Sequence, residues 1–219
     1  MLLADGEADL LAGATIGLDD DVEHHLRRVL RLRDGESVVV ADGAGSWRMT
    51  VARIAGSSLT LESVGAVEHE AEPETFALAT AIPKGDRLDW LVQKTVELGL
   101  RRLVLLDAER SAVHWNGQRA EKQLARLCRI ADEATRQSRG VWRTTIGGPV
   151  PAAGVLADAA LAEPGDAPAP TDEAMIAIGP EGGWSPGELA LSDARVGLGA
   201  NILRVETAAV AATTLRLIR

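Results

Sequence analysis

The fold is decided by the stretch Met175-Ile-Ala-Ile-Gly-Pro-Glu-Gly-Gly183, an apolar run that leads directly into a glycine-rich loop. Residues 175–178 predict a buried strand, and the glycines that follow allow a tight turn and a close approach of the backbone to a ligand. Ligands of open α/β sheets bind at the carboxyl ends of strands, where this loop begins. The spacing matches neither a phosphate-binding Walker loop nor a dinucleotide fingerprint. Two interpretations therefore stay open, a tight turn and a ligand cradle.

A second glycine-bearing loop follows closely, with the sequence Leu198-Gly-Ala-Asn-Ile-Leu-Arg-Val-Glu-Thr207. It comes after a short strand predicted at 196–199 and leads into a helix predicted over 206–218. Arg204 and Glu206 are either a surface ion pair of little energetic value or part of a site at this strand–helix junction. The final helix is apolar or small on nearly every side, which predicts that its own domain and a second subunit both cover it.

Strands alternate with helices in the segment that precedes these loops. The hydrophobic pattern predicts strands at 76–82 and 103–106, and helices at 86–99 and 118–138. This alternation is typical of the α/β class, so we predict a largely parallel sheet with helices packed against it.

The N-terminal part of the chain has a different periodicity. Residues 37–64 alternate with period two around a turn at 42–45, which predicts a small antiparallel β unit with Trp47 facing its core. The acidic segment 65–74 contains Pro73 and has the composition of a linker. We therefore predict two domains, at 1–70 and 71–219.

Composition and charge limit the possible functions. The chain has 219 residues, and its 32 acidic and 23 basic side chains give a net charge of −9. The single Cys128 excludes a disulfide framework and a multi-cysteine zinc site, so we expect no metal. The sequence has no run of 18 apolar residues and no basic start, from which we expect a cytoplasmic protein without a membrane segment. Basic residues cluster at 22–33 and 119–143, which are either RNA-binding surfaces or solvated helix faces.

Taken together, the two loops resemble the cofactor loops of the RsmE family, the ribosomal RNA uridine-N3 methyltransferases of the SPOUT superfamily. The first loop matches through Ile178 to Gly183 with Trp184, Ser185 and Glu188, and the second through Leu198-Gly199, Ile202-Leu203-Arg204 and Glu206-Thr207-Ala208. Other parts of the chain resemble the family's remaining motifs in the same order: His25, Val29-Leu30-Arg31 and Gly35; Lys84-Gly85, Gln93-Lys94 and Glu97-Leu98-Gly99; Glu109-Arg110-Ser111; and Gln137-Ser138-Arg139.

This resemblance implies an N-terminal PUA-like antiparallel β-barrel that helps to grip RNA, joined to a SPOUT domain whose C-terminal chain forms a trefoil knot. It also implies a homodimer that binds S-adenosylmethionine in the knot. By the family pattern, two groups of residues form the walls of the cofactor site: Gly179, Pro180, Glu181, Gly182 and Gly183 in the first loop, and Leu198, Gly199, Ile202, Leu203, Arg204, Glu206 and Thr207 in the second.

The implied reaction is methylation of N3 of a specific uridine in 16S ribosomal RNA, on free RNA or on the small ribosomal subunit. We expect Arg204, and Arg139 as second choice, to stabilise negative charge on the uracil oxygens, and Glu206 or Glu181 to accept the N3 proton. The residues expected to contact RNA are His25, Arg27, Arg28 and Arg31.

The sequence departs from the family pattern in one region, and it leaves functions other than uridine-N3 methylation open. Arg136 stands where many family members have Glu, and Thr144 and Thr145 stand where a proline is usual, so the resemblance does not fix the local geometry of Gln137 to Arg139. The sequence also separates poorly the uridine-N3 enzymes from SPOUT methyltransferases that act on a ribose 2′-oxygen or a guanine nitrogen. A third alternative, from a different class, is an RNA-binding protein that has lost catalysis.

Overall fold

The computed structural model describes residues 1–3, 15–16, 18, 20–29, 31–165 and 167–218. It divides the chain into two units, one formed by Met1–Pro73 and Arg136–Arg143 and the other by Glu74–Thr135 and Thr144–Arg219. The division predicted at residue 70 remains our proposal for the boundary between the folding domains.

The first unit is built on a five-stranded sheet with the order β1-β3-β4-β5-β2. All its neighbouring strands are antiparallel except the parallel pair β1 and β3. A short helix α1 continues as one wider turn, at 25–29, before β3 begins. The elements are β1 (Leu2–Leu3), β2 (Thr15–Ile16), α1 (Asp20–His24), β3 (Ser37–Ala41), β4 (Ser46–Ala55) and β5 (Ser58–His69).

The side chains of β4 that face the interior are not the ones that the sequence predicted. Alternation along the strand is present, but the buried positions are Arg48, Thr50 and Ala52, while Trp47 is half-buried. The polar side chains are tolerated inside because they find backbone acceptors: the Thr50 hydroxyl donates to the Val38 carbonyl at 2.8 Å, and Arg48 donates to the Gly65 carbonyl. A polar side chain can be buried in this way when its hydrogen bonds are satisfied.

The second unit contains a six-stranded sheet with the order β11-β9-β10-β6-β7-β8, in which every neighbouring pair is parallel. The predicted α/β class, with a parallel sheet beside a small antiparallel unit, is confirmed. Strands β8 and β9 were not expected from the sequence. The elements are β6 (Ala77–Ala81), α2 (Arg87–Glu97), β7 (Arg102–Asp107), α3 (Gly117–Ser138), β8 (Thr145–Pro151), β9 (Ala160–Ala162), β10 (Met175–Ile178), α4 (Pro186–Leu189), β11 (Arg195–Val196) and α5 (Val205–Leu217).

The route of the chain from β11 to α5 positions the second loop. Strand β11 lies at one edge of the sheet. Helix α5 packs against the central strands β6 and β10, and against helix α2. Between them the chain runs against the segment that follows β9, where the Gly197 N–H donates to the Pro168 carbonyl at 2.8 Å and a side chain at Gly197 would clash with Ala167. This route fits the predicted trefoil knot, and it brings the residues after β11 back to the carboxyl end of β10.

Among the described residues, no helix is both long enough and apolar enough to cross a bilayer.

Candidate active site

The first loop, Gly179 to Gly183, begins where β10 ends, between its neighbours β9 and β6. It closes as a turn in which the Gly183 N–H donates to the Pro180 carbonyl at 2.8 Å, with Gly183 in the left-handed region at φ +69°. A Cβ on Gly179 would lie 3.0 Å from the Trp184 ring, and one on Gly182 would lie 3.3 Å from Arg110. The glycines therefore serve close packing as well as the turn.

The short helix α4 holds this loop to the loop that follows β7. Ser185 and Glu188 form a capping box, and the buried Glu188 carboxylate accepts from the Ser185 N–H at 2.8 Å and from the Glu109 N–H at 2.9 Å. Arg110 adds a hydrogen bond to the Trp184 carbonyl at 3.0 Å. Two motifs that are distant in the sequence, at 109–111 and 178–188, thus meet at the carboxyl end of the sheet.

The second loop lies opposite, and the two enclose a cavity in the second unit. Most of the predicted cofactor residues line it: Gly179, Pro180, Glu181, Gly183, Leu198, Gly199, Ile202 and Leu203. Gly182, Arg204, Glu206 and Thr207 are not in its lining. Arg204 is exposed and precedes the first residue of α5, so its guanidinium belongs to the surface beside the cavity.

A third wall was missed by the sequence analysis. It consists of Ala162, Glu163 and Pro164, which follow β9, and the start of α5 and the loop before it add Asn201, Val205 and Ala208. The Glu163 N–H donates to the Val196 carbonyl at 3.1 Å, which ties this wall to the end of β11. Burial raises the pKa of the Glu163 carboxyl above its ordinary value, against the opposing charge of Arg195.

Arg87, the first residue of α2, connects the two cofactor loops and was also missed. Its Nη1 donates to Glu181 Oε1 at 3.0 Å, and its Nε lies 3.7 Å from Glu206 Oε1. The other oxygen, Glu206 Oε2, is buried and has no hydrogen-bond partner among the described residues. One guanidinium therefore faces both carboxylates that were candidates for the proton acceptor.

Arg139, the second choice for the uracil oxygens, belongs to the first unit. It is exposed and adopts a left-handed conformation at φ +60° just after α3 ends. Its contribution to the site stays a prediction.

The residues expected to contact RNA lie in the first unit and differ in what they already bind. Arg27 donates to Glu23 Oε1 at 3.1 Å, to the Gly56 carbonyl at 3.1 Å and to the Ser57 carbonyl, so its guanidinium holds the β4–β5 turn. Arg28 and Arg31 are exposed. The side chain of His25, and Leu30 of the same motif, lie outside the described residues.

The arrangement fits an adenosyl sulfonium ligand. The cavity offers apolar walls from Ile178, Leu198, Leu203 and Val205 for a flat adenine ring, and loop backbone and carboxylate oxygens for hydroxyl and amino groups. A buried carboxylate oxygen without a partner, at Glu206, also indicates a polar ligand or substrate at this edge.

Known proteins resemble the chain over most of its length. The family described as an RNA methyltransferase domain matches residues 70–216, and an RNA methyltransferase PUA domain matches residues 18–62. Ribosomal RNA small subunit methyltransferase E of Synechocystis is 32% identical, with 89% of this chain and 70% of the relative covered, and that of Mycobacterium bovis is 32% identical, with 91% and 85% covered. The crystal structure of the Neisseria gonorrhoeae enzyme bound to S-adenosyl methionine superposes with a TM-score of 0.84 at 27% identity, covering 97% of this chain and 94% of the other.

Proposed function

Because the chain belongs to the ribosomal RNA small subunit methyltransferase E family, we propose that it transfers a methyl group from S-adenosylmethionine to N3 of a uridine in 16S ribosomal RNA. The observation that carries this proposal is the cavity between the two glycine-bearing loops, at the same end of the sheet as the family motifs. The solved relative that binds S-adenosyl methionine has the same fold.

When bound, S-adenosylmethionine supplies a methyl group that its sulfonium already activates, so the protein needs neither a metal nor a covalent nucleophile. The cavity residues bind and orient it, with Gly179, Pro180, Leu198 and Leu203 on opposite walls. Holding donor and acceptor in line converts the reaction into an effectively unimolecular step.

In this proposal Arg204 acts on the uracil ring. As N3 loses its proton, negative charge develops on the two flanking carbonyl oxygens, and a guanidinium beside them stabilises that charge. Arg204 is exposed at the start of α5, next to the cavity, where a base can reach it.

Glu206 accepts the proton in this proposal. Its Oε2 is shielded from water and lacks a hydrogen-bond partner among the described residues, while Arg87 holds Oε1. The N3 proton passes to this carboxylate as the N3–C bond forms, and the electron pair of the broken S–C bond stays on sulfur. A carboxylate within reach of the N3 proton serves as its general base.

We further propose a cytoplasmic homodimer, with Arg28 and Arg31 contacting RNA phosphates and the small ribosomal subunit or its RNA as partner. Helix α5 supports the dimer, because Leu215 and the adjoining Ile218 remain 41% and 58% exposed in the single chain. Large exposed apolar side chains on neighbouring turns are typical of an interaction surface.

The test is nucleoside mass spectrometry of 16S ribosomal RNA from cells with and without the gene. We expect 3-methyluridine to disappear on deletion and to return when the purified protein and S-adenosylmethionine are added to that RNA. Loss of a 2′-O-methylated nucleoside or of a methylguanosine instead would reassign the acceptor atom. Failure to bind S-adenosylmethionine in calorimetry would leave only an RNA-binding role.

A further inference from the structure

Glu163 is a charged group of the cavity that the family motifs do not include. Among the described side chains that line the cavity, only those of Glu163 and Glu181 are charged. The Glu181 carboxylate is paired with Arg87 at 3.0 Å. The Glu163 carboxylate has no hydrogen bond or ion pair to any side chain in the part of the chain that the structure describes. Among the described residues, the cavity therefore contains one carboxylate that has no ion-pair partner.

The nearby cation does not change this conclusion. Arg195 acts on Glu163 through its charge, but its guanidinium donates to the carbonyls of Leu189 at 2.8 Å, Ala194 at 2.9 Å and Ser192 at 2.5 Å. Burial is the larger influence and raises the pKa of the Glu163 carboxyl. Half-buried, uncompensated carboxylates are stabilised when a cation or a hydrogen-bond donor approaches.

Local structure keeps Glu163 in place. The residue follows β9 directly, its N–H is bonded to the end of β11, and Pro164 after it restricts the backbone. The β9 strand and the hydrogen bond to Val196 fix the backbone of Glu163, so its side chain starts from a constant point on the cavity wall. The carboxyl group is thus a constant part of this wall.

The two ligands that a methyltransferase must distinguish differ in charge. S-adenosylmethionine carries a sulfonium and an ammonium against one carboxylate, while S-adenosylhomocysteine has lost the sulfonium charge and is otherwise nearly identical. A carboxylate near the reacting sulfur favours the first over the second.

We propose that Glu163 determines donor specificity, by attracting the sulfonium so that the cavity binds S-adenosylmethionine more tightly than S-adenosylhomocysteine and releases the product. This inference rests on the proposed function, since it concerns the same cavity. Glu163 acts on binding and product release and leaves the proton transfer to other groups.

Calorimetric titration of the full chain with both ligands at pH 8 tests the inference. In Glu163→Gln, which keeps the shape and removes the charge, we expect the affinity for S-adenosylmethionine to fall about tenfold and that for S-adenosylhomocysteine by less than about threefold. Sinefungin, which has an ammonium where the sulfonium stands, should lose affinity like the donor. Glu163→Asp should retain most of the preference for the donor.

The control is Glu121→Gln, which removes an exposed carboxylate from α3 and should change none of these affinities. Equal losses for both ligands in Glu163→Gln would place the carboxylate on the shared adenosine or amino-acid part and overturn the inference, as would no loss at all. A wild-type chain that binds neither ligand would instead overturn the proposed function.

Discussion

Arg204 and Glu206 lie two residues apart at the start of α5, but their surroundings differ. The Arg204 side chain is exposed and outside the cavity lining, whereas one oxygen of Glu206 is buried and the other faces Arg87. A residue beside the cavity can act on the substrate without holding the cofactor. Cofactor binding and action on the substrate, which the sequence assigned to the same segment, can therefore be separated by substitution.

Arg204→Ala should slow methyl transfer by about a hundredfold to a thousandfold, since one preorganised donor to a developing oxyanion contributes that much. Affinity for S-adenosylmethionine should stay within about tenfold of the wild type. Single-turnover transfer to 16S ribosomal RNA and calorimetry measure the two quantities. Arg204→Lys, which keeps a charge, should recover part of the rate. A parallel loss of cofactor affinity would assign Arg204 to the cofactor wall.

Glu163 links function to stability through its raised pKa. Because the folded chain binds this proton more tightly than the unfolded chain, the free energy of unfolding falls as pH rises through the interval above the ordinary value of 4.5. Glu163→Gln removes the ionisable group and with it this loss of unfolding free energy, so the Tm of the variant without ligand should exceed the wild-type Tm at pH 8. The difference should close as the pH falls to 4.5. Thermal unfolding across this range is the measurement, and a lower Tm for the variant at pH 8 would contradict it.

At the scale of elements, helix α2 contributes to the site through its first residue. Arg87 joins the loop after β10 to the first turn of α5, at 3.0 Å and 3.7 Å. Its side chain is 39% exposed, so the ion pairs contribute little to global stability. These ion pairs instead hold the two cofactor loops at a constant separation, which a ligand bound between the loops requires.

Arg87→Ala should therefore weaken S-adenosylmethionine binding about fivefold while changing the free energy of unfolding by less than about 1 kcal/mol. Hydrogen exchange should become faster at the amides of Gly179, of 181–183 and of 205–208, since both loops lose their shared partner. Arg119→Ala, an exposed arginine at the start of α3, serves as the matched control. Unchanged exchange in both loops would show that Arg87 does not join them.

The sequence predicted α2 and α3 from an apolar face that repeats along each helix. It predicted α5 from a run of apolar and small residues, and β10 from the continuous apolar run at 175–178. It missed β8, whose Gly147, Gly148 and Pro149 are typical of a turn; an edge strand tolerates them because one side needs no partner. It also missed β9, which has three residues in an alanine-rich segment. Missing β9 meant missing Glu163.

Alternation has a comparable limit in β4. A period of two shows that the side chains face two sides, but it does not say which side is inside when the buried positions include Arg48 and Thr50. The same limit applies to Arg87, since no local pattern indicates that residue 87 will meet residues 181 and 206. The glycine-bearing loops were visible in the sequence, but the resemblance to the RsmE family was needed to assign them to the cofactor site, and contacts across the fold depend on topology.

For the whole molecule, a net charge of −9 makes RNA binding depend on local basic surfaces. Arg28→Ala should weaken RNA binding and reduce the slope of log affinity against log salt by about 0.7 to 0.9, the value for one phosphate contact. Arg27→Ala should instead lower the free energy of unfolding by about 1 kcal/mol, because its guanidinium holds the β4–β5 turn.

Filter binding across a salt series and denaturant unfolding separate the two effects of these arginines. Arg53→Ala removes an arginine of the same unit that pairs with Glu62 at 2.6 Å, so it should leave the salt slope unchanged. A slope that responds equally to Arg28→Ala and Arg53→Ala would show only a general charge effect.

The proposed dimer would bury apolar side chains that α2 and α5 leave exposed. The two helices pack against each other, yet Trp90 on α2 and Leu215 on α5 remain 45% and 41% exposed, with Ile218 beyond the helix at 58%. Burying these side chains against a second copy would add favourable apolar burial, while Leu215→Glu would place a charge there.

Sedimentation at micromolar concentration should give a dimer for the wild type and a monomer for Leu215→Glu. Leu191→Glu, 39% exposed after α4, should remain dimeric. A Leu215→Glu chain that still sediments as a dimer would place the interface on another surface.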